Sequence, residues 1–143
     1  MNIEVAIDIA APVERVWEAF TDLRSWRHWN SVLRCVPTAG AARLAEGARF
    51  RCSIRVFPLP TSFDVTVVDI VPYRRLVWVT RWLGIDARHR FVCSPQADGG
   101  VRMTSRERFG GRTMAVLGPL FPVWRIRQLT LALLQDLKAA AER

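Results

Sequence analysis

Residues 3 to 9, IEVAIDI, alternate strictly: Ile3, Val5, Ile7 and Ile9 share one face and Glu4, Ala6 and Asp8 the other, the period of a half-buried strand. The period then lengthens. In APVERVWEAFTD, Val13, Val16, Trp17 and Phe20 fall at i, i+3, i+4 and i+7, with Pro12 at a first helical position and Glu14 near the positive end of the dipole. That predicts an amphipathic helix of two turns. Ser25 is placed to cap a shorter helix over WRHWN, where Trp26 and Trp29, three apart, share a face.

From residue 32 the period returns to two. VLRCVPTAG, ARFRCSIRVFPL, TSFDVTVVDIV, RLVWVTRWLG, ARHRFVCSP and VRMTSRERFGG are six runs of strand length separated by breaker residues, the spacing of an antiparallel meander. In residues 48 to 56, Ala48, Phe50, Cys52, Ile54 and Val56 face one way and Arg49, Arg51, Ser53 and Arg55 the other, so one side of the sheet is arginine. Parity breaks at Val67 and Val68, which predicts a bulge that bends the sheet. TAGAARLAEG reads as a loop within the domain.

Residues 114 to 124 carry no charge, and two prolines prevent one continuous helix there. This stretch is either a lip of a cavity or a buried wall. A regular helix resumes at Val123, with Val123, Ile126, Thr130, Leu133, Leu137 and Ala140 or Ala141 as its apolar stripe.

The elements sum to a strand, two short helices, six strands and a long helix: an α+β design in one domain over residues 1–143, whose sheet must bury one face on the last helix. That order, the opening IDIAAPVERVWEAFTDLRSWRHWN, the HRF strand and the ERFGG strand end resemble the START-like helix-grip superfamily, also called SRPBCC, and within it the polyketide cyclase/dehydrase-like members. The resemblance spans essentially the whole chain. It implies a curved seven-stranded antiparallel sheet wrapped around the C-terminal helix, with an internal hydrophobic cavity entered near the two short helices. It also implies a hydrophobic ligand, polycyclic or polyketide-like, handled in one of two ways. One is cofactor-free cyclisation or dehydration; the other is non-catalytic carriage or sensing of a lipid or quinone. A fold that hosts both does not choose between them.

Charge adds a partner question. The formal net charge is +8, and Lys138 is the sole lysine, so nearly all of it is arginine. Such a balance suits an acidic partner such as a carrier protein or an anionic membrane, or else a solvated face. Nucleic acid is disfavoured, because the outward arginines lack interleaved aromatics and no known motif accompanies them. No apolar run approaches the roughly 20 residues of a membrane span. The N-terminal stretch has acidic residues where a signal peptide carries basic ones, so a cytoplasmic protein, monomer or homodimer, is expected. Cys35, Cys52 and Cys93 are an odd count with no CxxC pair, and the expectation is three reduced structural thiols.

Two residues stand out on the apolar side of their strands: His89 between Ala87 and Phe91, and Glu107 between Met103 and Phe109. With SPQADGG as the turn, one register pairs Cys93 with Met103, Phe91 with Ser105 and His89 with Glu107. In the functional reading Glu107 fixes the His89 tautomer and raises its basicity, His89 moves a proton next to a carbonyl, and Ser105 or Thr80 donates to a developing enolate. In the structural reading two buried polar groups satisfy each other. Trp29, Phe50, Trp78, Trp82, Phe91, Phe121 and Trp124 are candidates for one aromatic cavity wall, suited to flat ligands. No cluster has metal-ligand spacing, and GxGxxG, P-loop and GxSxG motifs are absent, so no cofactor or metal is expected.

Overall fold

The computed structural model describes residues 1–39, 42–56 and 60–143. Gly40 and residues 57–59, at the ends of two predicted strands, and Ala41 of the predicted loop lie outside the described residues. The elements follow in the order β1 (Asn2–Ile9), α1 (Val13–Thr21), α2 (Trp26–Trp29), β2 (Arg34–Ala39), β3 (Arg49–Ile54), β4 (Thr61–Val71), β5 (Arg75–Trp82), β6 (Ile85–Pro95), β7 (Val101–Gly110), α3 (Arg112–Leu117) and α4 (Val123–Ala141). A short 3-10 turn, Leu23–Ser25, leads into α2, and another, Gly118–Leu120, follows α3.

The seven strands form one sheet in the order β1-β7-β6-β5-β4-β3-β2, antiparallel at every junction. β1 closes the far edge on β7 and the rest are successive hairpins. The β4–β5 register shifts between Val67 and Asp69, where the broken parity predicts a bulge. The sheet curves around α4 in the helix-grip fold.

α4 buries Thr130, Leu133, Leu134, Leu137 and Ala141, close to the stripe read from its period. Its polar side ties it down: Lys138 donates to Asp8 O at 2.9 Å, Arg127 to Glu4 O at 3.1 Å, and Asp136 accepts from Ser31 N and Oγ at 2.8 and 2.6 Å. These contacts fix the helix over β1 and over the loop after α2. Val16, Trp17 and Phe20 of α1 are buried as the spacing requires, though Pro12 stands one position earlier than expected, before the first helical residue. Ser25 precedes α2 without capping it, since its hydroxyl donates to Asp22 O at 2.8 Å and accepts from Trp29 Nε1 at 3.1 Å.

The cysteines correct the expectation of three reduced thiols. Cys35 and Cys52 stand directly opposite in the β2–β3 register, with Cα atoms 4.1 Å apart, and are joined in a disulfide. Cross-strand pairing brought them together, which neither an odd count nor the lack of CxxC reveals. Cys93 stays free and buried, its Sγ 3.4 Å from Met103 Sδ, and burial pushes its thiol up to about 12. It is a small hydrophobe with no nucleophilic character.

Candidate functional site

β6 and β7 carry the two anomalous residues to one place. Their register pairs Cys93 with Met103, Phe91 with Ser105 and His89 with Glu107, and alternation turns all six toward the concave face. The ordinary strand period therefore delivers a histidine and a carboxyl side by side.

The imidazole is enclosed by rings. Trp78 approaches it edge-on, with centroids 5.5 Å apart, and Phe91 stacks on it at 4.0 Å and 23°. Its Nε2 lies 2.5 Å from Ser105 Oγ, and its Nδ1 lies 3.7 Å from Glu107 Oε1. Ser105 is buried, and its hydroxyl has no other partner among the described residues, so it donates to Nε2. That assigns the proton of the neutral ring to Nδ1, on the side of Glu107.

Burial acts on the pair in opposite senses. It pulls His89 from 6.5 down to about 3, because the rings around it do not solvate an imidazolium. It pushes Glu107 from 4.5 up to about 7, because the apolar surroundings strip the carboxylate of water. The expected rise in His89 basicity is thus corrected: desolvation outweighs a carboxyl that is itself largely neutral below pH 7. Glu107 is the member that titrates near neutrality.

Between the sheet and α4 lies a cavity of about 410 Å³. Its wall is apolar, built from Leu33, Ile54, Phe63, Trp78, Ile85 and Phe109 on the sheet side and Ile126, Leu129 and Leu133 on α4. The polar exceptions are Thr61, Thr80, His89, Glu107 and Thr130. No arginine or lysine among the described residues lines it, although the chain is strongly basic. The arginines of β6 and β7 point outward, with Arg88 facing Arg108 and Arg90 facing Arg106 across the strands.

Of the residues singled out from sequence, His89, Glu107, Trp78, Thr80 and Phe121 line this cavity, and so does Trp82 at its edge. The others do not. Phe50 and Phe91 are fully buried in a ring cluster with Phe20, Trp26 and Trp78, so of the seven aromatic candidates Trp78, Trp82 and Phe121 alone form cavity wall. Ser105 is buried and bonded to His89 Nε2, and it is not part of the cavity lining. Trp29 packs on Trp26, their centroids 5.9 Å apart, and Trp124 is 65% exposed. Met114, Leu117 and Leu120, which the sequence places in a lip or wall without singling them out as ligand residues, are brought to the cavity by α3 and the turn after it. Their signal was the uncharged stretch before Trp124.

A family model described as "Polyketide cyclase / dehydrase and lipid transport" matches residues 1–142. Among solved structures, the Zhui aromatase/cyclase of a Streptomyces species superposes with a TM-score of 0.79 at 16% identity, covering 100% of this chain and 94% of that one. A START superfamily protein of Mycobacterium smegmatis gives 0.71 at 16% identity, covering 99% and 94%. A protein of the dynemicin biosynthetic locus gives 0.70 at 23%, covering 96% of this chain and 46% of its own. At these identities the likeness establishes the fold and leaves the reaction to the site. No curated protein sequence matches the chain.

Proposed function

The chain belongs to the polyketide cyclase / dehydrase and lipid transport family, and from that premise we propose that it binds a neutral, polycyclic or polyketide-like molecule in its cavity and moves protons on it without a cofactor. One observation carries the reading: Glu107, a carboxyl with its pKa raised to about 7, stands on the wall of an otherwise apolar cavity. A base of that strength is matched to neutral pH. The Glu107 carboxylate takes a proton next to a ligand carbonyl. The enolate carbon then bonds to a second carbonyl carbon of the same ligand, and the Glu107 carboxylic acid returns the proton to the alkoxide oxygen. His89 Nδ1–H faces the carboxylate and steadies it as it forms, Ser105 holds that ring in place, and Thr80 is the hydroxyl on the wall available to the enolate.

The test needs no knowledge of the natural ligand. 2-Acetylnaphthalene is flat, neutral and carries exchangeable protons next to its carbonyl. In heavy water the protein is expected to accelerate their exchange, and Glu107→Gln to lose about 100-fold or more of that acceleration while still binding the ketone. Bound ketone exchanging only at the buffer rate would leave a carrier and exclude the base.

A further inference from the structure

The rim of the cavity is exposed and apolar where a soluble surface is expected to be polar. Leu83 is 71% exposed, Val116 78%, Leu120 81% and Trp124 65%, and Trp82 and Leu117 beside them are exposed as well. These six come from two segments, the β5–β6 turn and the stretch from α3 to the start of α4. Thr113 joins the segments, with Oγ1 donating to Leu83 O at 2.5 Å and its backbone N–H to Gly84 O at 3.2 Å. Trp82, Leu117 and Leu120 also line the cavity, so the patch surrounds its mouth.

Leu83 makes the patch harder to dismiss. It has φ 46° and Gly84 φ 77°, the two positive values that a tight hairpin turn requires. Asn, Asp or Gly suits the first of these positions, whereas the Cβ of leucine crowds the following carbonyl there. Neither conformation nor burial accounts for an exposed leucine at that tip. Gly84 and Gly111 are needed to dock the turn on α3: a Cβ on Gly84 would meet Thr113 Oγ1 at 2.4 Å, and one on Gly111 would meet Gly84 O at 2.3 Å. The tip is thus docked on the first turn of α3.

We propose that this lip is a docking surface for an anionic lipid bilayer, through which the cavity exchanges its ligand without passing it through water. Charge selects this occupant. Within residues 81–86 and 112–127, Arg81 pairs with the single acid Asp86 at 2.9 Å and Arg127 is turned to Glu4 O on β1, which leaves Arg112 and Arg125, the latter held by Val56 O, as the net positive charge of the rim. A second copy would set the same positive rim against itself, whereas an anionic surface attracts it and receives the leucines, valine and indole at the headgroup level. Docking is a property of the rim and goes beyond the proton chemistry, so Glu107→Gln is expected to dock as the wild type does.

Flotation with vesicles tests it. The protein is expected to float with phosphatidylcholine vesicles containing phosphatidylglycerol, to bind about tenfold less to phosphatidylcholine alone, and to be released as salt shortens the Debye length. Leu120→Asp and Leu83→Asn are each expected to weaken binding about tenfold. Leu83→Asn relieves the turn, so its thermal midpoint is expected to stay level or rise while binding falls. Absence of flotation, or flotation unaltered by both variants, overturns the proposal. So does a dimer dispersed by Leu120→Asp, or capture of a purified acidic carrier protein abolished by Leu120→Asp, if either occurs without vesicle binding.

Discussion

His89 and Glu107 face each other across β6 and β7 with Nδ1 and Oε1 3.7 Å apart, while the far nitrogen of the imidazole is held 2.5 Å from Ser105 Oγ. The ring is therefore fixed from behind and offers a proton forward. Ser105→Ala removes the hydroxyl that supplies Nε2, and the ring proton is then free to move to that nitrogen. Nitrogen-15 shifts of the His89 ring are expected to report one Nδ1–H tautomer in the wild type and a mixture in Ser105→Ala. A wild-type ring protonated at Nε2 would refute the assignment.

Stability follows the same two groups with opposite signs. Glu107 has its pKa raised from 4.5 to about 7, so the unfolded chain gives up that proton first and stability is lost as pH rises through this range. His89 has its pKa lowered from 6.5 to about 3, so the unfolded chain takes up a proton first and stability is lost as pH falls through that range. Between pH 4.5 and 6.5 the two slopes oppose each other, so Glu107→Gln is expected to leave stability rising with pH through that window and His89→Gln to leave it falling. Thermal midpoints across a pH series check both, and a Glu107→Gln protein with the wild-type slope between pH 5 and 7 counts against a half-buried carboxyl.

The charge of the ligand is a third consequence. With no arginine or lysine among the described lining residues, a bound carboxylate would lack a partner and would face Glu107. 2-Naphthoic acid is expected to bind about tenfold or more weakly than 2-acetylnaphthalene above pH 7, a difference of about 1.4 kcal/mol. Calorimetric titration of the two compounds measures it. Equal affinity would mean that a cation reaches the cavity after all.

The disulfide of Cys35 and Cys52 joins β2, an edge strand, to β3 and closes a separation of 17 residues. Loop-closure entropy assigns such a crosslink about 3 kcal/mol. Chemical denaturation with and without reductant is expected to show a loss of that order in the reduced protein. Unchanged stability would indicate that the β2–β3 hairpin holds itself without the bond.

Much of the architecture was legible because periodicity carries it. Alternation in β3, β6 and β7 and the stripe of α4 each have one face to bury, and the bulge announced itself as two consecutive valines. The His89–Glu107 register was legible for the same reason, since parity leaves few pairings across a short turn. What was not legible depends on three-dimensional neighbours. Phe50 and Phe91 have the same inward parity as His89, and only the packing of Phe20 and Trp26 over them decides that they are core rather than cavity wall. The pKa order of His89 and Glu107 was likewise hidden, because it depends on Trp78 and Phe91 enclosing the imidazole. Trp124 and Leu120 were read as belonging to a lip or a wall, and their exposure decided for the lip.

The central claim is that Glu107 is a half-buried carboxyl poised near neutrality, and carbon-13 titration of its side-chain carboxyl measures this directly in the free protein. A midpoint near 7 is the expected result. A midpoint near the ordinary value of 4.5 would make Glu107 a solvated anion at neutral pH and would remove the base from the proposed reaction.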